Sequence, residues 1–327
     1  MTTTTSRSRA LLSVVLLTLA SGCKKGNAHG DVGAAPDAAA KGEASSAAAV
    51  DAAPKSVCPA GMIEIAGGNF FMGSDLEDAL DLEKPSHKVT VGQFCIDKTE
   101  VTVGAYKACV DAGKCAETAI TNKSDDLKPK EKVAFDRLCN LRDPEAKKDH
   151  PMNCVDWTMA TTYCEAMGQR LPTETEWEFA ARGPDGRIYP WGDEAPSGSL
   201  LNACGKECVD WGNKNKVEET AMYPDDDGFP NTAPVGSFPR GASRFGLLDV
   251  VGNVWEWVSD RHGKYAKEAL VDPTGPAKGT DRVIRGGGWN GAYTSWVRPT
   301  FRYHDLPTKR SYGIGFRCGL GAVGSER

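Results

Sequence analysis

No apolar run in this sequence is long enough to cross a bilayer: the run from Ala10 to Ala20 falls well short of the about 20 residues a spanning helix needs. Basic residues are outnumbered, 39 Lys and Arg against 44 Asp and Glu. Removing residues 1–22, which hold Arg7 and Arg9 and no acid, takes the net charge from -5 to -7. That excludes a nucleic-acid partner, because phosphate binding needs clustered Lys and Arg. Histidine is scarce, with five in the chain, and cysteine is missing altogether between Cys208 and Cys318. Large apolar side chains are nearly absent from residues 24–56, so this segment cannot bury enough surface to fold.

The amino terminus supplies what an export signal needs: Arg7 and Arg9, the apolar stretch to Ala20, then Ser21 and Gly22 before Cys23. It resembles a bacterial lipoprotein signal, which implies a diacylglycerol on the Cys23 thiol and a membrane-tethered, exported protein. Lys24 stands where an aspartate often retains lipoproteins in the inner membrane, which favours the outer membrane where a cell has one. The expected organisation is a signal over 1–22, an Ala/Gly/Pro-rich stalk over 23–56, one globular domain over 57–321 and a tail over 322–327.

Ten cysteines remain beside Cys23, and an even number in an exported chain favours five disulfides. Cys109 with Cys115 and Cys204 with Cys208 are close enough in sequence to pair. A four-cysteine zinc site is the competing use, although no paired Cys-x-x-Cys knuckles occur. Such stapling suits a loop-rich domain.

Strands are expected over residues 61–67, 69–73 and 87–97, the last alternating with period two. Helices are expected after Thr102, with Tyr106, Cys109 and Val110 inward, and from Trp157 to Met167. A third follows Pro172, where Thr173 and Glu176 form a capping box. The second half is rich in Gly, Trp, Asn and Asp, with short strands near Trp255, over 283–285 and over 315–318.

Several strings then occur in one order: Gly67–Ser74, Thr99-Glu-Val-Thr102, Arg170–Glu178 with Ala180–Gly183, Tyr189-Pro-Trp-Gly192, Gly252-Asn-Val-Trp-Glu-Trp257, Arg285-Gly-Gly-Gly-Trp289 and Gly315-Phe-Arg-Cys318. Together they resemble the sulfatase-modifying-factor family, which includes the formylglycine-generating enzyme, over roughly residues 58–320. The resemblance implies an α+β, loop-rich variant of the C-type lectin fold, with a Cys164 to Cys318 disulfide. It also implies a cysteine-oxidising site with copper held by two cysteines. Those positions are Gly291 and Trp296 here, and the active-site serine position is Gly288, so no catalytic residue is expected. Cu(I) needs soft thiolates, and neither replacement offers one. A second branch of the family uses iron held by histidines in an added helical domain, which this sequence lacks. His87 and His150 are expected to be structural; His262 and His304, helped by Asp260 or Asp305, are the positions a redox metal would have to use.

Two structural calcium ions are implied. One falls among Asn202, the carbonyl of Ala203, Asp227 and the carbonyl of Phe229; the other among Asp249, the carbonyls of Gly252 and Val254, and Glu256. Hard cations take such oxygen sets from loops. Trp255, Tyr293, Trp296, Arg298 and His304 are expected around a ligand groove, with the bodies of Trp255, Trp257 and Trp289 buried. The functional expectation is a lipid-anchored accessory module that binds a peptide, a glycan or a surface protein. A metal-dependent oxidase with non-cysteine ligands stands second, and formylglycine formation last.

Overall fold

The computed structural model describes residues 57–117, 120–123 and 127–321. The signal, Cys23, the stalk with His29, and the tail lie outside the described residues. The expected α+β class holds: five α-helices and ten short strands among the described residues, joined by long loops.

Strands β1 (Met62–Ile65), β2 (Gly68–Met72), β3 (His87–Val91) and β4 (Phe94–Asp97) fill the first third of the domain. In β3, His87, Val89 and Val91 face inward and Lys88 faces out, the alternation a half-buried strand requires. The single alternating run expected over 87–97 is instead two strands. The chain breaks at Gly92-Gln93, where the Gly92 amide donates to Asp272 Oδ1 at 2.7 Å, and β3 and β4 enter different sheets.

Helix α1 (Val103–Asp111) starts where the Thr102 hydroxyl accepts from the Ala105 amide, and it buries Tyr106 and Cys109 while Val110 stays half-buried. The next helix, α2 (Pro129–Asp136), was not expected. Pro129 supplies its first turn, and Glu131 reaches back to the Lys128 amide. Helix α3 (Trp157–Ala166) matches its expected span, and α4 (Glu174–Arg182) carries the capping box on Thr173 and Glu176 before ending at Gly183, φ 70°. Helix α5 (Lys206–Asn215) was not expected either; Cys208 sits in its first turn, so the Cys204–Cys208 bridge spans a helix start. Asn, Asp and Gly in its sequence are weak helix formers, and packing of Trp211 against Trp289 compensates.

The second half adds β5 (Trp255–Arg261), β6 (Leu270–Val271), β7 (Arg282–Arg285), β8 (Arg302–Asp305), β9 (Ile314–Gly315) and β10 (Gly319–Gly321). The sheets run β1-β4-β10, β2-β3-β6 and β8-β7-β5-β9. A single strand over 315–318 does not form. Phe316, Arg317 and Cys318 lie between β9 and β10 because they carry a ring, a charge and a disulfide into the core.

Five disulfides close the domain: Cys58–Cys95, Cys109–Cys115, Cys139–Cys154, Cys164–Cys318 and Cys204–Cys208. All three pairings anticipated above form, and the zinc alternative falls because these sulfurs are bonded to each other. Trp177, Trp257 and Trp289 are buried.

The recurring motif strings meet as buried charge pairs. Both Glu256 oxygens accept from Arg317, through Nη2 at 2.7 Å and Nε at 2.8 Å, and Trp177 Nε1 donates to Oε2. Arg285 pairs with Glu178 and donates to the carbonyls of Pro299 and Phe301. Arg302 grips Glu174 through two bonds, at 2.6 and 2.7 Å. The bidentate Arg317 and Arg302 pairs tolerate burial because their remaining donors also find acceptors, whereas Arg285 Nε is left without one. His87 and His150 are buried structural residues as expected: the His150 ring lies 3.0 Å from Thr232 Oγ1, and burial pushes its pKa down to about 4.

Candidate ligand cavity and cation loops

The sheet β8-β7-β5-β9 and the loops after β7 and β8 enclose a cavity of about 460 Å³. Its apolar wall is aromatic. The Trp255 ring, half-buried rather than fully buried as expected, has Trp296, Phe301 and Tyr303 at centroid distances of 6.3, 5.8 and 6.2 Å. Ile284 and Ile314 complete the apolar surface, while Asn290, Asp305, Lys309 and Ser311 provide polar groups. Asp305 and Lys309 form an ion pair at 3.3 Å.

Trp296 lines this cavity, and Gly288 packs beside its Trp255 wall. Gly291 and Gly288 form a tight turn, the Gly291 amide donating to the Gly288 carbonyl at 2.8 Å. A Cβ on Gly291 would stand 3.0 Å from that same carbonyl oxygen, and one on Gly288 would stand 3.2 Å from Trp255 Cδ1. The turn thus leaves little room for side chains at either place. Trp296 lies on a short 3-10 turn, Thr294–Val297, and its indole forms part of the cavity wall.

Of the five residues expected around a groove, Trp255 and Trp296 line the cavity; Tyr293, 59% exposed, does not line it but packs its ring 5.1 Å from Trp296. Arg298 is a correction. It is buried and held by Asp78 Oδ2 at 2.9 Å and Glu83 Oε1 at 3.0 Å, a structural ion pair with no face toward the cavity. His304 is another. Along β8 successive side chains point to opposite faces, so Tyr303 and Asp305 enter the cavity while Arg302 and His304 do not. His304 instead stacks on His262 at 3.8 Å and pairs through Nδ1 with Asp281 at 2.7 Å. Asp260 and Asp305 do not assist these histidines: Asp260 accepts from the Glu174 amide, and Asp305 holds Lys309. Two imidazoles stacked face to face direct their lone pairs along parallel planes and not toward one ion. Burial beside Arg302 and His304 lowers the His262 pKa to about 4.

The loops expected to hold cations lie elsewhere, around Tyr223 and Asp249. Asn202 is buried; its Nδ2 donates to the Asn231 carbonyl at 2.9 Å, and its Oδ1 makes no hydrogen bond. Beside it the Tyr223 hydroxyl lies 3.2 Å from the Ala203 carbonyl and 2.7 Å from Asp227 Oδ2. Asp227 also receives the Phe229 amide at 2.8 Å, and burial raises its carboxyl to about 7. One hydroxyl proton cannot satisfy every oxygen gathered there.

At the second location Asp249 takes a left-handed backbone, φ 51°, and accepts from the Gly236 amide; burial raises it to about 6. Gly252 cannot carry a side chain, since its Cβ would lie 2.5 Å from the Asn202 carbonyl oxygen. Glu256 is largely committed to Arg317 and Trp177. The residue that sequence reasoning missed is Glu100, from Thr99-Glu-Val-Thr102. It is buried, both its oxygens lack a hydrogen-bond partner, and burial with Asp249 nearby pushes its carboxyl well up. Three buried acids, Glu100, Asp249 and Glu256, thus surround the single guanidinium of Arg317. An orphaned carboxylate and an orphaned amide oxygen are the donors a hard cation takes. Among the described residues, three metal-type donors do lie within 4.8 Å of one another at Cys204, Cys208 and Glu219, but the two sulfurs form a disulfide.

The sequence profile of the family described as "Sulfatase-modifying factor enzyme 1-like domain" matches residues 46–320. The formylglycine-generating enzyme of Streptomyces coelicolor is 35% identical, over 87% of this chain and 95% of its own length. The inactive C-alpha-formylglycine-generating enzyme 2 of Bos taurus is 33% identical, over 80% and 88%. Among solved structures, that of PvdO from Pseudomonas aeruginosa matches with a TM-score of 0.56 and 25% identity, covering 80% of this chain and 94% of that one.

Proposed function

Because the chain belongs to the sulfatase-modifying factor family and has its loop-rich, C-type-lectin-like α+β fold, we propose that it is a non-oxidising member, a binding or accessory module pinned by calcium. The observation that carries this reading is the turn Gly288–Gly291 with Trp296: the positions that would hold copper have no thiol, and an indole takes part of the space. Every cysteine from Cys58 to Cys318 is in a disulfide, so no other thiolate stands in. A relative named inactive, 33% identical, supports the same direction.

In this reading Asn202, Asp227 and the carbonyls of Ala203 and Phe229 hold one calcium ion. Asp249, Glu256 and the carbonyls of Gly252 and Val254 hold the other, with Glu100 as an added oxygen donor. Calcium would cross-link loops whose acids otherwise repel one another, leaving the aromatic cavity rigid for a ligand. Cys23 would carry the lipid that tethers the module to a membrane surface, the outer membrane where the cell has one, the stalk giving it reach.

A peptide with a sulfatase-type cysteine, incubated with the protein, copper, a thiol reductant and oxygen, is expected to keep its mass. Conversion of that cysteine to formylglycine, read by mass spectrometry, would remove the reading. Elemental analysis of the protein after exposure to calcium, copper and iron is expected to return calcium alone; one stoichiometric redox metal would make the protein an enzyme.

A further inference from the structure

We propose that the aromatic cavity binds a neutral saccharide, one pyranose ring lying against Trp296 and Trp255 with its hydroxyls on Asn290, Asp305, Lys309 and Ser311. The inference rests on the binding-module reading and adds the ligand class. Three observations carry it.

The first is the wall. Trp255, Trp296 and Tyr303 form a concave fan, each neighbour tilted about 50° from Trp255. Tyr303 is 47% exposed, and the exposed Tyr293 packs against Trp296. Large rings left facing solvent around a concavity are an unspent binding surface. The negative faces of such rings attract the weakly positive axial C–H groups of a sugar.

The second is charge. The acid and the base in the cavity neutralise each other, Asp305 to Lys309 at 3.3 Å. A cationic guest would meet the Lys309 ammonium and an anionic one the Asp305 carboxylate, so neither has the unopposed partner it needs. A hydroxyl both donates and accepts, and it can bridge a paired carboxylate and ammonium without breaking them apart.

The third is the arrangement of polar groups. They come from residue 290 and the stretch 305–311 and line the same cavity as the rings. The cavity therefore offers both aromatic faces and hydrogen-bonding groups, as a pyranose has a C–H face and a hydroxyl rim. A volume of about 460 Å³ lies in the range of about 300–1,000 Å³ used by small-molecule sites. Trp296 and Tyr303 fall outside the motif strings, so this ligand class is a property of this chain's own residues.

Saturation-transfer NMR on the full-length protein, with maltose, cellobiose and N,N′-diacetylchitobiose as probes, tests the proposal. Irradiating the aromatic protons is expected to saturate the axial C–H protons of at least one disaccharide. Trp296→Ala is expected to weaken that binding about tenfold, Trp296→Phe less, with unchanged near-ultraviolet circular dichroism. Phe71→Ala, an exposed aromatic on β2, serves as the control and should change nothing. Transfer that persists undiminished in folded Trp296→Ala would place the sugar elsewhere and overturn the proposal. Transfer to tetramethylammonium or to a short peptide, with none to any sugar, would overturn the ligand class while the binding-module reading stands. The formylglycine assay and the elemental analysis above bear on that underlying reading.

Discussion

Arg317→Met is expected to destabilise the protein by about 3–5 kcal/mol, the range for removing one partner of a buried ion pair. The reason lies in what would remain. Glu256 would keep only the Trp177 indole as a donor, and the charge that now faces Glu100, Asp249 and Glu256 together would be gone. The carbonyls of Asp97, Lys98 and Leu248, now bonded to the guanidinium, would lose their donors as well. Urea unfolding in the presence of calcium measures the loss. Adding Glu256→Leu should recover at most the part of the loss owed to Glu256, because Glu100 and Asp249 still lose the cation they face; that comparison is made in EDTA, where the proposed calcium role of Glu256 does not enter. A single variant within about 1 kcal/mol of the parent would show that the pair is not what organises this part of the core.

Chelation is expected to have the second large effect, and its pH dependence is the informative part. Burial raises the carboxyls of Asp97 and Asp249 to about 6 and those of Asp227 and Asp260 to about 7. A carboxyl raised above its unfolded value favours the protonated fold. Its contribution is fully present below the unfolded pKa near 4 and is lost as pH rises through the folded value. In EDTA the melting temperature should therefore fall between pH 5 and pH 8. Calcium bound as proposed would reverse this at Asp227 and Asp249 by replacing the proton with a cation. The calcium-induced rise should be greatest near pH 8, about 2.7 kcal/mol for a site at 100-fold excess over its Kd, and should shrink toward pH 5. Glu100→Gln is expected to raise the stability of the calcium-free protein at pH 8 and to reduce the response to calcium. Equal calcium shifts at both pH values would rule out these carboxyls as ligands.

How far the sequence discloses the site depends on the range of the interaction involved. The Thr173 and Glu176 cap and the inward face of β3 are local, and both were legible from spacing. That Gly288, Gly291 and Trp296 offer no thiol was legible from the residues themselves. Arg298 was not, since its partner Glu83 lies 215 residues away and only folding makes the arginine structural. Glu100 gave no local sign either: an acid next to a strand-like valine reads as surface until burial removes its partners. Tyr303 and Asp305 had a usable signal. Once Arg302 is placed inward, period two sends its neighbours into the cavity and His304 away from it. The helix at Lys206–Asn215 was hidden because its weak helix formers are offset by packing from Trp289, a residue far along the chain.

The disulfide between Cys58 and Cys95 also determines how the domain responds to a mechanical load. Tension arriving from the amino-terminal side reaches Cys58 first and passes through a covalent bond directly to β4. Strands β1, β2 and β3 all lie inside the loop that this bond closes, so the force bypasses them. Pulling from that end therefore cannot peel β1 from β4 one hydrogen bond at a time, as unzipping would. It has to shift β4 itself, flanked by β1 and β10 in the same sheet.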